Sequence, residues 1–356
     1  MTSFKIRVSR GDRVLFHNYC LFIFLFEAIS DGRYLILHEL RYCMEAMKMK
    51  ITFYGTRGSI PTPGEGTVQY GGDTSCLTVE TSDGLYIFDM GSGARVLGSE
   101  LIRGKTDADV FISHTHWDHI NGFPFFKPCY KPGNVLRVYG GHRRIALGRT
   151  WDKTEPCTNK CNEVNYTKSG FLYQQGRDFF PVALDKMGAN ITFTDLNEEP
   201  IINGFTSVQP FFHSCHPEGM FGYLIQNDGT RVAYTGDYEH DGECLGSFGP
   251  KDRTLIGIIN GVDALVMDGQ YDPEEYMTKK GWGHSNILRV CDIAAEANVG
   301  SLYITHHDPE SHDIKLDGLE QLCQGYMSEV LCKDIPVKFA KQGMKEEILS
   351  RMVVAV

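Results

Sequence analysis

The motif HTHWDH at residues 114–119 places four metal-binding side chains within six residues: His114, His116, Asp118 and His119. It directly follows an apolar run, residues 109–113, that has the character of a buried strand. A loop that begins at a strand end can turn neighbouring side chains toward one point, and such positions often carry chemistry. Imidazole and carboxylate are ligands that suit zinc, manganese or iron. The motif therefore predicts a metal site more strongly than a metal-free cluster of surface histidines.

Further residues of ligand type follow at later predicted strand ends. His216 precedes a predicted hairpin, Asp237 follows the second strand of that hairpin, and His306 follows a later apolar strand. Each alone is compatible with an ordinary turn or capping residue. In this order, and together with the first motif, they favour one shared site. His213 and His307 are the neighbouring alternatives.

Short apolar runs separated by glycine-containing turns dominate the pattern along the chain. The turns at residues 82–84 and 227–229 predict β-hairpins, and the apolar spacing over residues 286–297 predicts a helix. Strands with helices between the later ones predict a layered α/β fold in which one sheet packs on another. The predicted strands cover residues 50–54, 75–80, 85–89, 109–113, 221–225, 231–235, 263–268 and 301–305.

Composition narrows the class of partner. The 356 residues, 42% of them hydrophobic, can bury a sizeable core in one large or two smaller domains. The net charge of −10 gives no general attraction to a polyanion, so RNA is a disfavoured partner. Eleven scattered cysteines favour a reducing compartment, and we expect a cytoplasmic protein. The apolar run at residues 20–26 is too short to span a bilayer and only weakly resembles a secretion signal, so no membrane association is expected.

The motif resembles the HxHxDH signature of the metallo-β-lactamase superfamily, and His216, Asp237 and His306 match its later ligands in order. The resemblance implies an α/β fold, the αββα four-layer sandwich, with two divalent metal ions at one edge. Zinc is the expected metal, with manganese or iron as alternatives. The implied ligands are His114, His116 and His216 for one ion and Asp118, His119 and His306 for the other, with Asp237 bridging.

The sequence context separates the neighbouring histidines. His216 is preferred to His213 because the His-Pro-x-Gly-x-x-Gly-Tyr context resembles family members, and His306 is preferred to His307 because it directly follows Thr305.

A second cluster narrows the resemblance. The turn Gly283-His284-Ser285 and the strand end at Asp268 resemble ribonuclease Z and related phosphodiesterases, in which a histidine pairs with an acidic residue. Such a pair holds the imidazole and stabilises its protonated form, which can assist a leaving alkoxide. The alternative is that His284 merely precedes a helix capped by Ser285.

A branch that includes cyclic-nucleotide phosphodiesterases is similar to this chain at residues 53–61, 70–76, 270–276, 281–285 and 306–309. This resemblance spans residue 49 to the C-terminus. Residues 1–46 are therefore expected to form an N-terminal extension of unknown role, and residues 47–356 a hydrolase domain. Residues 141–175 depart from the branch, because they are longer and richer in cysteine than expected. A solvated loop or a substrate-facing arm are the interpretations of that segment.

The expected function is a two-metal hydrolase that cleaves a phosphodiester, such as a cyclic nucleotide, through a metal-bound hydroxide. Asp118 is expected to orient this nucleophile, while His284, held by Asp268, assists the leaving oxygen. A thioesterase or lactamase-type hydrolase and a ribonuclease are the alternatives. An oxygen-reducing di-iron protein is disfavoured by His116, where such proteins carry glutamate, and a non-catalytic module is disfavoured by the full ligand set. A homodimer is compatible with this sequence.

Overall fold

The computed structural model describes residues 48–141, 166–216 and 219–351. The predicted extension at residues 1–46, most of the atypical segment at 141–175, and Pro217 beside His216 lie outside the described residues.

Two seven-stranded mixed sheets form the centre of the fold. The first has the order β14-β1-β2-β3-β4-β5-β6, and the second has the order β13-β12-β11-β10-β9-β8-β7. The first sheet contains β1 (Lys48–Gly55), β2 (Cys76–Glu80), β3 (Leu85–Phe88), β4 (Asp107–Phe111), β5 (Val135–Gly140), β6 (Asn190–Asp195) and β14 (Lys345–Leu349). The second contains β7 (Ile201–Asn203), β8 (Thr206–His213), β9 (Met220–Asn227), β10 (Thr230–Tyr234), β11 (Ala264–Asp268), β12 (Leu302–Thr305) and β13 (Val337–Phe339).

Helices cover the outer face of each sheet. The described α-helices are α1 (Gly93–Leu101), α2 (Trp117–Ile120), α3 (Tyr166–Gln174), α4 (Pro250–Ile259), α5 (Pro273–Lys279), α6 (Ile287–Glu296) and α7 (Asp313–Gly325). One apolar cluster lies between the sheets and joins side chains such as Phe88 and Phe111 to Tyr223 and Tyr234. A second cluster packs α1 and α3 on the first sheet, and a third packs α4, α6 and α7 on the second. The predicted αββα four-layer sandwich is therefore confirmed.

Local patterns were reliable guides to the elements. Each of the eight predicted strands is present, with ends within two residues of the prediction. The β9–β10 hairpin turns at Asp228 and Gly229, whose φ angles are 44° and 85°, and two positive φ angles in succession are what a tight hairpin turn requires. The predicted helix over residues 286–297 is α6, and the side chain of Asn286 caps it by accepting from the Leu288 N–H.

Topology brings the chemistry to one edge. Strands β3, β4 and β5 run parallel in the first sheet, as do β10, β11 and β12 in the second. The loops that follow β4, β10, β11 and β12 carry most of the candidate site residues, so these residues lie at the carboxyl ends of parallel strands, where α/β sheets usually bind ligands. His216 is the exception, since it follows β8, which pairs antiparallel with β9. In the described ranges, no helix combines the length and apolar character that crossing a membrane requires.

Candidate active site

Three histidines form the first ligand group. His114 and His116 follow β4, and His216 follows β8. Their ring centroids lie 4.4–4.9 Å apart, and one nitrogen from each lies within 4.8 Å of the others. His114 and His216 are buried, whereas His116 is exposed. The group can therefore supply three neutral imidazole ligands at a point that solvent reaches.

The second ligand group contains two carboxylates and two imidazoles, all buried: Asp118, His119, Asp237 and His306. His119 Nε2 lies 3.4 Å from Asp118 Oδ2 and 3.2 Å from Asp237 Oδ1. His306 Nε2 lies 3.0 Å and 3.2 Å from the same two oxygens. The one-turn helix α2 supplies Asp118 and His119, and His306 has a φ of 63° that turns the chain at the end of β12.

Asp237 lies between the two groups. Its Oδ2 is 3.6 Å from His114 Nε2 and 3.8 Å from His216 Nε2, while its Oδ1 faces His119 and His306. One carboxylate thus offers an oxygen to each group, which is the geometry of a residue shared between two metal positions.

Partners outside the groups fix the imidazoles of the second group. His119 Nδ1 lies 2.8 Å from Asp89 Oδ2, and His306 Nδ1 lies 3.1 Å from Gln270 Oε1. These hydrogen bonds turn each Nε2 toward the group, as partners of metal-binding histidines commonly do. The Ser59 N–H donates to Asp118 Oδ2 at 2.7 Å and fixes that carboxylate as well.

A glycine makes room for this arrangement. A Cβ on Gly58 would lie 2.4 Å from His306 Nδ1, so no other residue fits there without displacing the imidazole. The Gly-rich turn after β1 is therefore part of the site, since it admits His306 and presents the Ser59 N–H.

Several ligand-type atoms have no protein partner. His114 Nε2, His119 Nε2 and Asp237 Oδ1 are buried and make no hydrogen bond to any residue in the described ranges. Buried polar atoms are nearly always satisfied, so each such atom calls for a partner. Imidazole nitrogens and a carboxylate oxygen that converge without hydrogen bonds fit divalent metal ions.

The two groups differ in electrostatics. Burial holds the pKa of His114 well below its usual value, and burial together with neighbouring imidazoles lowers the pKa of His216 to about 3. Burial also acts to lower the pKa of His119 and His306, but nearby carboxylates outweigh it. They hold the pKa of His119 well above its usual range and raise that of His306 to about 9. Carboxylates therefore dominate the electrostatics of the histidines in the second group, whereas burial dominates those of the first.

His284 and Asp268 form a pair beside both groups, and one ligand-type atom from each also lies within 4.8 Å of such atoms of Asp237 and His306. His284 Nδ1 lies 2.9 Å from Asp268 Oδ2 and 3.9 Å from Asp237 Oδ2, and its ring stacks on His306 at 4.8 Å. Asp268 is fully buried. The prediction that Ser285 caps the following helix is wrong, because Asn286 is the cap and the Ser285 hydroxyl donates to Tyr238 O.

The neighbouring histidines lie outside both groups. His213 Nε2 hydrogen-bonds to Thr235 O and His307 Nε2 to Ala340 O, at 2.9 Å and 2.8 Å. Since those backbone contacts engage the two rings, His216 and His306 are the members of each neighbouring pair that join the ligand groups.

Three residues near the site were not anticipated: Asp89, Gln270 and Glu239. Asp89 follows β3, directly beside the strand that leads into the histidine motif, so parallel pairing of β3 with β4 was the available clue. Gln270 follows β11 in the same way. Glu239 contacts the turn that carries His284, and nothing in its own sequence context distinguishes it.

Comparison with known proteins agrees with this geometry. The sequence profile described as the beta-lactamase superfamily domain matches residues 101–307, which is more than half of the chain. The chain is 26% identical over 285 residues to ribonuclease BN of Escherichia coli O1:K1, covering 72% of this chain and 88% of that protein. It is 24% identical over 326 residues to ribonuclease Z of Thermoplasma acidophilum, covering 80% and 96%.

A solved structure has the same fold. The metallo-beta-lactamase fold protein YhfI from Bacillus subtilis superposes with a TM-score of 0.55 at 18% identity, covering 84% of this chain and 99% of that one.

Proposed function

This chain belongs to the beta-lactamase superfamily and is a hydrolase, and we propose that the bond it cleaves is a phosphodiester. The observation that carries this proposal is the His284–Asp268 pair, which lies beside two ligand groups that share Asp237. A thioesterase or lactamase-type hydrolase would need the ligand groups but has no need of this pair. A phosphodiester with an alkoxide leaving group does need a proton donor at that position.

The ligand groups have the composition of a two-metal site. We infer that zinc is the preferred ion, with manganese or iron as alternatives, because imidazole and carboxylate suit all three. When bound, such ions polarise a phosphoryl oxygen and lower the pKa of water toward about 7, which supplies a nucleophile. The proposed ligands are His114, His116 and His216 for one ion and Asp118, His119 and His306 for the other, with Asp237 shared.

Different residues of the chain then act on the attacking water and on the leaving oxygen. Asp118, fixed by the Ser59 N–H, orients the attacking water by accepting a hydrogen bond from it. His284 donates through Nδ1 to Asp268, so Nε2 is the nitrogen that can give a proton to the leaving oxygen. Asp268 stabilises the protonated imidazole and fixes its orientation.

A small phosphodiester such as a cyclic nucleotide is the favoured substrate. The net charge of −10 gives no general attraction to a long polyanion. Trp117, within the histidine motif, and Trp282, two residues before His284, are each 62% exposed and offer flat apolar surfaces on which a base can stack. RNA is the second candidate, because two relatives are named ribonucleases.

The test is a substrate screen combined with metal analysis of the same samples. The substrates are cyclic nucleotides, bis(p-nitrophenyl) phosphate, a short RNA and a thioester. The proteins are the native chain, His284→Ala and, as a matched control, His312→Ala, which replaces an exposed histidine outside both ligand groups. We expect His284→Ala to keep its metal and to lose about 10²–10⁴-fold in rate on a cyclic nucleotide.

Comparing substrates with different leaving groups tests whether His284 donates a proton to the leaving oxygen. The loss should be smaller for bis(p-nitrophenyl) phosphate, since nitrophenolate leaves without a proton, and Asp268→Asn should act in the same direction more weakly. Turnover of the thioester with none of any phosphodiester would contradict the proposal.

A further inference from the structure

The segment that follows Asp237 lies against the turn that carries His284. The Tyr238 N–H donates to Asp268 Oδ2 at 3.0 Å, and the Ser285 hydroxyl donates to Tyr238 O at 2.5 Å. The His240 N–H donates to Ser285 Oγ at 3.2 Å. Residues 238–240, which directly follow the shared carboxylate of Asp237, therefore contact both Asp268 and the residue after His284.

Glu239 makes the most extensive of these contacts. Its Oε1 accepts from the Gly281 N–H at 2.6 Å and from the Tyr276 hydroxyl at 2.9 Å. Its Oε2 accepts from the Gly283 N–H at 2.8 Å. Hydrogen bonds to an ionised carboxylate are among the stronger ones in proteins, so these three contacts hold the turn firmly.

The two glycines on either side of Trp282 make the backbone of the turn easy to deform. Gly281 and Gly283 have φ angles of 90° and 98°. Glycine adopts such positive φ angles readily because it has no Cβ. Trp282, between them, is 62% exposed.

Ser285, after His284, is held by Tyr238 and His240. Glu239 holds the two glycines before His284, so it helps to fix where the backbone of His284 lies.

We propose that Glu239 is a positioning residue, which holds the Gly281–Gly283 backbone so that His284 lies beside the ligand groups. This inference rests on the proposed role of His284 as proton donor. Glu239 contacts the backbone of the turn and not the imidazole, so it acts only through His284. Because Asp237 is two residues earlier, the same loop fixes the shared carboxylate and the proton donor relative to one another.

The experiment uses the full chain with Glu239→Ala, Glu239→Gln and the matched control Glu243→Ala, an exposed glutamate of the same loop. Rates are measured on a cyclic nucleotide and on bis(p-nitrophenyl) phosphate, together with metal content and circular dichroism. Glu239→Ala should lose about 10–100-fold in kcat on the cyclic nucleotide, the range found for groups that orient a functional imidazole. It should lose less on the nitrophenyl ester and should keep its metal.

Two companion variants keep the test decisive if Glu239→Ala folds poorly. Glu239→Gln keeps the size and one acceptor oxygen, so we expect an intermediate loss, and Tyr276→Phe removes one of three donors and should lose least. In a His284→Ala background, Glu239→Ala should cause no further loss, because both changes remove the same contribution.

The outcomes separate this inference from the proposed function. A loss in His284→Ala without a loss in Glu239→Ala overturns the positioning role alone. Equal losses on both substrates, or additive losses in the double variant, also overturn it. No loss in either single variant overturns the proposed role of His284 as proton donor as well.

Discussion

The two ligand groups sit side by side but are built differently. The first has three imidazoles, one of them exposed, and His216 Nδ1 has no partner within the described ranges. The second is wholly buried, contains two carboxylates, and has imidazoles fixed by Asp89 and Gln270. Asp237 offers one oxygen to each.

This difference indicates unequal affinity for metal. More carboxylates, deeper burial and fixed imidazoles all favour a bound cation, because they supply charge and reduce the ordering that binding requires. We therefore expect the second group to bind the tighter ion and the first group to bind an exchangeable one. The shared carboxylate should make occupancy of the two positions interdependent.

The largest effect is expected for Asp237→Ala, which removes an oxygen from both groups at once. Metal content should fall toward zero, and turnover should fall by more than about 10²-fold, the upper end for residues that only orient ligands. Elemental analysis and the rate on bis(p-nitrophenyl) phosphate measure the two quantities. Retention of two equivalents would mean that Asp237 is not shared.

The next effect separates the groups. His116→Ala should lose about one metal equivalent with little change in the free energy of unfolding, because His116 is exposed. His119→Ala should reduce metal content and also lower the free energy of unfolding by about 1–3 kcal/mol, since Asp89 loses a buried partner. Urea denaturation of the metal-free proteins measures the second quantity. Equal destabilisation by both variants would contradict the claim that His119, unlike His116, is held by a buried partner.

A smaller effect on metal affinity is expected when a hydrogen-bond partner of a candidate ligand is removed and the ligand itself remains. Gln270→Ala should weaken metal binding at the second group by about 10–100-fold, because His306 loses the partner of its Nδ1. Gln226→Ala, at an exposed position on β9, is the control. Competition with a chelator measures the affinity, and a change confined to the weaker metal would place His306 in the wrong group.

The smallest effect is expected from the N-terminal segment. A chain that starts at Met47 should keep both metal equivalents and the native rate, because the family-like sequence begins near that residue. Loss of activity on removing residues 1–46 would show that the extension contributes to the domain.

Local sequence indicated well which residues come together at the candidate site, because that information is local. His114, His116, Asp118 and His119 lie within six consecutive residues. The later candidate residues lie within three residues of a strand end: His216, Asp237 and His306. The Asn227-Asp228-Gly229 turn likewise fixes a hairpin by itself.

Contacts between distant segments were beyond that reasoning. Asp89 and His119 are 30 residues apart, and Glu239 and Gly283 are 44 apart. Each acidic residue is of a type that ordinary turns also use, so its role follows only from which strands pair and which loops meet.

Titration of the metal-free chain with zinc, followed by both binding and turnover of bis(p-nitrophenyl) phosphate, tests the central claim most directly. We predict that two equivalents of zinc bind in distinct steps. The tighter step should produce almost no turnover, and turnover should rise with the weaker step. His116→Ala should abolish the weaker step and leave the tighter one. Full turnover at one equivalent, or turnover that does not depend on metal, would contradict a two-metal phosphodiester hydrolase.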